Sequence, residues 1–132
     1  MVRPHIAVLA LMLAAPAAAQ TGGDAAPHEQ AVEISLSNFA FAPRDIRLRA
    51  GQPYRLHLVN SANGGHNFSA PAFFRTARIA PADAAAVRNG TIEVPKGQAR
   101  DIRLVPARGT YPVKCTHFLH SGFGMKGSIT AE

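Results

Sequence analysis

The chain has 132 residues, and its 14 lysines and arginines against 8 aspartates and glutamates give it a formal net charge of +6. This length suits a single domain that can bury a hydrophobic core. A basic surface favours acidic partners or anionic membranes. The basic residues are scattered, however, and no cluster of them alternates with aromatic residues, so the composition argues against nucleic-acid binding.

Residues 1–19 have the pattern of a secretory signal peptide. Arg3 provides a positive start, the apolar run IAVLALMLAA follows, and small residues at 17–19 offer a cleavage site. We expect cleavage after Ala19 and export to the periplasm. The apolar run is too short to cross a bilayer, so we expect no membrane span in the mature chain, and an uncleaved anchor is the alternative.

Residues 20–30, with the polar sequence QTGGDAAPHEQ, predict a flexible N-terminal tail. Apolar and polar residues then alternate over residues 31–132. The alternating runs, in chain order, are VEISLSNF, RDIRLRAG, PYRLHLVN, TIEVPKGQ, RDIRLVPARG, TYPVKC and MKGSITAE. A period of two residues, interrupted by Gly, Pro and Asn, is typical of an antiparallel β-sandwich. By the same alternation His57 is expected to face solvent.

Residues 71–90 interrupt this alternation with the alanine-rich sequence PAFFRTARIAPADAAAVRNG. Start and stop signals predict a short helix that begins at Pro81 and runs through Val87. Phe73 and Phe74 are expected to attach this helical excursion to the core.

Cys115 is the only cysteine of the chain. Exported proteins usually pair their cysteines, and an unprotected thiol in an oxidising compartment is open to oxidation. Two explanations remain: a buried, inert cysteine, or a metal ligand whose thiolate is protected by coordination.

The stretch CTHFLHSGFGM at residues 115–125 concentrates soft side chains, namely Cys115, His117, His120 and Met125. Thiolate and thioether ligands favour copper, and two histidines and a cysteine in a plane with a distant methionine form an electron-transfer copper site. Zinc accepts cysteine and histidine but rarely methionine. A further ligand must come from elsewhere, and His66 is the candidate because it follows a predicted strand and a glycine pair.

The motif GGHNF at 64–68 and the spacing Cys-x4-His-x4-Met at 115–125 resemble the cupredoxins, the small blue-copper family of the azurin, plastocyanin and pseudoazurin type. FAFAPRDIRLRAG at 39–51 is similar to the family's N-terminal strand pair. YPVKC and MKGSI are similar to the strands that bracket the ligand loop. The resemblance extends from about Val32 to Glu132 and implies a Greek-key, cupredoxin-like β-sandwich over residues 31–132.

The resemblance implies that His66, Cys115 and His120 form the trigonal plane around one copper ion, with Met125 as the axial ligand. It also implies a weak contact from the carbonyl of Gly65. The copper would change between its Cu(I) and Cu(II) states.

Asn67 matches the family's asparagine that joins the upstream loop to the Cys115–Thr116 stretch through hydrogen bonds, which fixes the ligand geometry. An ordinary turn residue is the alternative reading of Asn67. The ligand loop has four residues between Cys115 and His120, as in azurin, and four between His120 and Met125, as in plastocyanin-like members. His117 is an additional histidine within this loop. On a continuing strand His117 would point to the same side as Cys115, so it is an alternative to His120 as a ligand.

Such a site implies a one-electron carrier and not an enzyme, because protein ligands occupy every position on the metal. We expect a monomer whose redox partner docks on an apolar patch beside His120, formed by Phe118, Leu119 and Phe123. The second hypothesis is a periplasmic protein for copper tolerance, sequestration or delivery that exchanges metal with copper-handling proteins. The spare histidines His28 and His117 favour this alternative.

A nucleophile formed by Cys115 with His117 or His120 is the third hypothesis. The loop supplies no aspartate or asparagine to orient the histidine, and Met125 would then have no purpose.

Overall fold

The computed structural model describes residues 28–132. The predicted signal peptide, 1–19, and most of the predicted tail, 20–30, lie outside these residues. The described strands are β1 Gln30–Ser37, β2 Ala40–Ala42, β3 Asp45–Leu48, β4 Tyr54–Asn60, β5 His66–Ser69, β6 Arg78–Ile79, β7 Thr91–Val94, β8 Ala99–Val105, β9 Gly109–Lys114 and β10 Lys126–Ala131. Within the same residues, one helix, α1, covers Pro71–Thr76, and a 3-10 turn covers Ala84–Ala86.

These strands form two five-stranded sheets, in the orders β2-β1-β4-β8-β6 and β3-β10-β9-β5-β7. Alternate side chains of both sheets are withdrawn from solvent: Ile34 of β1, Leu56 of β4, Ile102 of β8 and Ile129 of β10 are all fully buried. Burial of every second residue removes one face of these strands from water, which is the main source of stability in a sandwich. The all-β sandwich predicted from the alternation is confirmed.

Two strand pairs are parallel, namely β1 with β4 and β3 with β10, and the others are antiparallel. The chain passes into the second sheet through β3 before it returns as β4, so β4 runs in the direction of β1. Alternation identifies a strand and its buried face, but it carries no information about the direction of the neighbouring strand. The prediction of an antiparallel sandwich therefore missed these two pairs.

The helical excursion has a different form from the predicted one. The α-helix begins at Pro71, ten residues before the predicted start, and only a 3-10 turn lies within the predicted segment. Proline at the first helical position has its φ already set for a helix, and Phe73 and Phe74 are buried, as expected. Neither helical segment of the described chain is long and apolar enough to cross a membrane.

The outer face of the first sheet is polar. His57 lies there with its side chain 32% exposed, and its Nδ1 atom is 2.7 Å from a carboxylate oxygen of Asp101 on β8. The prediction that His57 points away from the core is confirmed.

One end of the second sheet brings distant segments together. β9 ends at Lys114, directly opposite Lys126 at the start of β10, so the intervening residues 115–125 form a loop at this end. β5 is the neighbour of β9 and begins at His66 at the same end. The strand order thus places His66 beside the first residue of the loop.

Candidate metal centre

Three potential ligands converge at this end of the sandwich. The Nδ1 atoms of His66 and His120 lie 3.0 Å apart, and the Sγ atom of Cys115 is 3.9 Å from the first and 3.4 Å from the second. Within residues 28–132 this is the one group of three or more His, Cys, Asp or Glu side chains close enough to share a metal ion. His117 is not a member of it.

The spacing of the three atoms fits a single ion. The point equidistant from them lies about 2.0 Å from each, which matches a metal–imidazole bond of about 2.0–2.1 Å, as found for zinc. Two imidazoles and a thiolate form a soft donor set. The residues present therefore fit a soft transition-metal ion at this position.

Backbone hydrogen bonds close the loop around the site. The amide of Cys115 donates to the carbonyl of Met125 at 3.1 Å, and the amide of Met125 donates to the carbonyl of His120 at 3.1 Å. Gly124 has a φ of 99°, which glycine adopts readily and which returns the chain to β10. The loop therefore holds Cys115, His120 and Met125 in a fixed relation.

The site is closed to solvent on its inner side. Cys115 and Met125 are fully buried within the hydrophobic core, and His66 is 1% exposed. His120 is half-buried and forms the outer edge of the cluster. A metal at this position would thus be shielded from water while one of its imidazoles reaches the surface.

Burial affects the protonation of His66. It lowers the pKa of this imidazole, and the neighbouring imidazoles of His120 and His117 lower it further. The neutral form keeps a lone pair for a metal. Within the described chain, the Nε2 atom of His66 is the buried side-chain polar atom for which no hydrogen-bond partner is found, so packing alone orients the ring on that side.

Asn67 connects β5 to the ligand loop. Its side chain donates to Thr116 Oγ1 at 2.7 Å and accepts from the Thr116 amide at 2.8 Å, and its backbone amide lies 3.5 Å from Cys115 Sγ. A hydrogen bond to the sulfur and a double link to the next residue restrict the position of the thiolate.

Glu93, on β7, is a member of this network that the sequence analysis did not identify. One carboxylate oxygen accepts from the Asn67 side chain at 2.8 Å, and the other lies 2.9 Å from Nε2 of His117. Burial raises the pKa of Glu93, but the hydrogen bonds from Asn67 and His117 outweigh it, so the pKa is lowered overall. Glu93 faces Asn67 across the β5–β7 pair, a register that the local sequence does not reveal.

His117 lies beside the cluster without entering it. Its ring is nearly parallel to that of His66, with a centroid separation of 6.4 Å and an interplanar angle of 23°. A Cβ atom added to Gly65 would be 3.5 Å from the His117 ring. Gly65 and His117 are thus packed together at the edge of the site.

An apolar patch surrounds His120 at the surface. Phe118, Leu119 and Phe123 are 87%, 55% and 64% exposed, and Phe39, which the sequence analysis did not include, is 39% exposed. The ring of Phe39 meets His120 edge-on at 5.2 Å and lies 5.1 Å from Phe123. Large side chains exposed together, rather than singly, indicate an interaction site.

Backbone strain is present at the same place. Phe39 and Leu119 have φ values of 63° and 64°, in the left-handed region that residues with bulky side chains rarely adopt. Such conformations persist where the surrounding structure imposes them and are concentrated at functional sites. Phe39 contacts the His120 ring, and Leu119 directly precedes His120 in the chain.

Comparison with known proteins agrees with this architecture. A family model described as a cupredoxin-like domain matches residues 5–131 of the chain. No curated protein sequence matches it significantly.

Several solved structures are similar to this fold. Auracyanin from Roseiflexus castenholzii is 22% identical with a TM-score of 0.58, over 78% of this chain and 97% of that one. Auracyanin B is 25% identical with a TM-score of 0.58, over 83% and 92%. Auracyanin A of Chloroflexus aurantiacus, described as a "blue" copper protein, is 22% identical with a TM-score of 0.52, over 80% and 100%. A multicopper oxidase from Campylobacter jejuni is 13% identical with a TM-score of 0.60, but only 31% of its length is covered.

Proposed function

Because the chain belongs to the family of cupredoxin-like domains, we propose that it is an exported blue-copper protein that carries one electron at a time between partner proteins. Its cofactor is copper, and a single ion suits the one cluster of donors in the described chain. Copper held by two histidines, a cysteine and a distant methionine supplies reversible one-electron chemistry.

The observation that carries this proposal is the convergence of the donor atoms of His66, Cys115 and His120, which all lie within 4.8 Å of one another. We assign these residues as the trigonal ligands. Met125, fully buried and hydrogen-bonded through its backbone to Cys115 and His120, would supply the fourth ligand. A site built into a rigid sandwich keeps its shape in both oxidation states, which favours rapid electron transfer.

His120 is the proposed route for the electron. It is the partly exposed member of the ligand set and lies within the apolar patch of Phe39, Phe118, Leu119 and Phe123. A partner docked on this patch would bring its own redox centre close to the imidazole edge. Exclusion of water from the contact strengthens the coupling between the two centres.

We propose that residues 1–19 are a signal peptide and that residues 31–132 form the copper-binding domain. The predicted tail, residues 20–30, is one residue too long at its end, because Gln30 already belongs to β1. The periplasm is the proposed destination, because an oxidising space suits a protein whose single thiolate is protected by its metal. With all four ligands drawn from the chain, no position is left for a substrate, which argues for a carrier rather than an oxidase.

The copper-storage alternative has less support. It drew on His28 and His117 as spare ligands. The Nε2 atom of His117, however, is directed at Glu93, 2.9 Å away. A carrier needs no additional ligand at this position.

The experiment is a titration of the purified protein with Cu(II), followed by visible absorption. An intense thiolate-to-copper band that saturates at one equivalent, disappears on reduction and returns on oxidation is the expected result. A colourless protein that prefers Zn(II) would refute the proposal.

A further inference from the structure

His117 and Glu93 are two polar residues beside the site that do not belong to the proposed ligand set. They lie on different elements, since His117 is in the ligand loop and Glu93 is on β7, and their side chains meet at 2.9 Å. The side chain of His117 is 33% exposed and that of Glu93 is 63% exposed. A hydrogen bond or ion pair between side chains this exposed contributes little to stability, so the position of this contact at the site needs another explanation.

Glu93 holds two parts of the site at once. Its first oxygen accepts a hydrogen bond from Asn67, which is linked to both Thr116 and Cys115, and its second oxygen faces His117. The carboxylate thereby joins β7 to β5 and to the loop. Loss of Glu93 would free the His117 ring and remove one acceptor of Asn67.

The ring of His117 in turn lies next to the rings of two proposed ligands. Its ring is nearly parallel to that of His66 at 6.4 Å and lies 5.4 Å from that of His120. His66 is only 1% exposed, although it is the first residue of β5. A ring fixed in this position limits the access of water and of competing ligands to the metal.

We propose that Glu93 and His117 form a clasp that holds the ligand loop against β7 and slows the entry and release of copper. The inference rests on the proposed copper function and deepens it, because it assigns positioning roles to two residues that are not ligands. Partners that orient metal ligands are typically worth about 10–100-fold in metal affinity or activity. Opening of the clasp would affect the rate of exchange more than the ligand geometry.

The test loads the purified protein with Cu(II) and follows the decay of the visible band after transfer to excess EDTA. Glu93→Ala and His117→Ala are each expected to release copper about tenfold faster than the original protein, with the absorption maximum retained. The double variant should be no faster than the faster single variant, since both changes open the same contact.

His57→Ala is the matched control. His57 is also a half-exposed histidine, 32% against 33% for His117, and it also contacts a carboxylate, at 2.7 Å. It lies on the outer face of the other sheet, so His57→Ala should release copper at the original rate. Glu93→Gln keeps an acceptor for Asn67 and a polar group for His117, and it should retain slow release.

A second measurement needs no metal. In the metal-free protein, hydrogen exchange at the Thr116 amide should accelerate in Glu93→Ala but not in His57→Ala. The clasp is overturned if Glu93→Ala and His117→Ala release copper at the same rate as His57→Ala. It is also overturned if the effects of the two single changes multiply in the double variant. If the original protein forms no visible band with Cu(II), the proposed function itself fails.

Discussion

At the scale of single residues, the decisive feature is the end of β9 at Lys114. A continuing strand would have directed His117 to the same side as Cys115. Because the strand stops, the chain turns instead, with the His120 amide donating to the His117 carbonyl at 3.1 Å. His120 is thereby brought to 3.4 Å from the cysteine sulfur, while His117 is directed at Glu93.

Replacement of either histidine tests this difference. We expect His120→Ala to abolish the visible copper–thiolate band, because it removes one of three atoms around the proposed metal position. His117→Ala should keep the band, since its ring contacts no assigned donor atom. Visible absorption of the two Cu(II)-loaded variants provides the comparison. The reverse pattern would make His117 the ligand.

At the scale of elements, the α1 segment shows how an irregular excursion is attached to a sandwich. Phe73 is fully buried and packs edge-on against Tyr111 at 5.4 Å and Phe74 at 5.2 Å. Asp83 lies farther along the excursion. Its carboxylate accepts hydrogen bonds from the backbone amide and the guanidinium of Arg103 on β8, at 2.9–3.0 Å. An apolar anchor and a polar anchor therefore hold the same segment.

We expect Phe73→Ala to lower the free energy of unfolding by about 3–5 kcal/mol, because it leaves a cavity in the core. Phe118→Ala is the control, since that ring is 87% exposed and its loss should change stability by less than about 0.5 kcal/mol. Urea denaturation of the metal-free variants measures both changes. Similar losses in the two variants would contradict the assignment of Phe73 to the core.

The Asp83–Arg103 contact should make stability depend on pH. Hydrogen bonds from the Arg103 side chain, and then from its backbone amide, lower the pKa of Asp83 below its usual 3.8. A carboxylate whose pKa is lowered by folding stabilises the folded protein at pH values above its pKa in the unfolded chain. This stabilisation is lost as the pH falls through its pKa in the folded protein.

Asp83→Asn is therefore expected to be less stable than the original protein at neutral pH. The difference should shrink as the pH falls below 3.8. Urea denaturation of the two proteins over a series of pH values tests this. A difference that stays constant from neutral to acidic pH would show that the charge of Asp83 has no part in it.

At the scale of the whole molecule, the proposed ligands join segments that are far apart in sequence. Cys115 and His66 are 49 positions apart, and the pairing of β5 with β9 brings them together. The donor atoms therefore have the required spacing only in the folded chain. Ligand binding of this kind must stabilise the native state.

We expect Cu(II) to raise the melting temperature, because the ion binds the native state in preference to the unfolded chain. At a free ion concentration 100 times the dissociation constant, the stabilisation is about 2.7 kcal/mol. Calorimetry with Cu(II), and again after its removal by EDTA, measures the shift and its reversal. His120→Ala should show a much smaller shift, and an equal one would place the metal elsewhere.

The sequence by itself determined the fold class and predicted which side chains of the loop are donors. Alternation over two residues identifies strands because it reports which side chains leave water, and Cys115, His120 and Met125 are close enough in the chain for their spacing to indicate a shared site. The attachment of Phe73 and Phe74 followed from their apolar character alone. None of these inferences required knowledge of which strands are neighbours.

The tertiary structure decided what depends on strand pairing and on where a strand ends. This class contains the parallel pairs, the proximity of His66 to Cys115, the turn that brings the His120 ring close to the cysteine sulfur, and the positions of Glu93 and Phe39. Each is a contact between two segments that are distant in the chain, and the local sequence of one segment does not indicate which other segment it contacts. Register and direction arise from the packing of the complete core, so a short stretch of sequence cannot specify them.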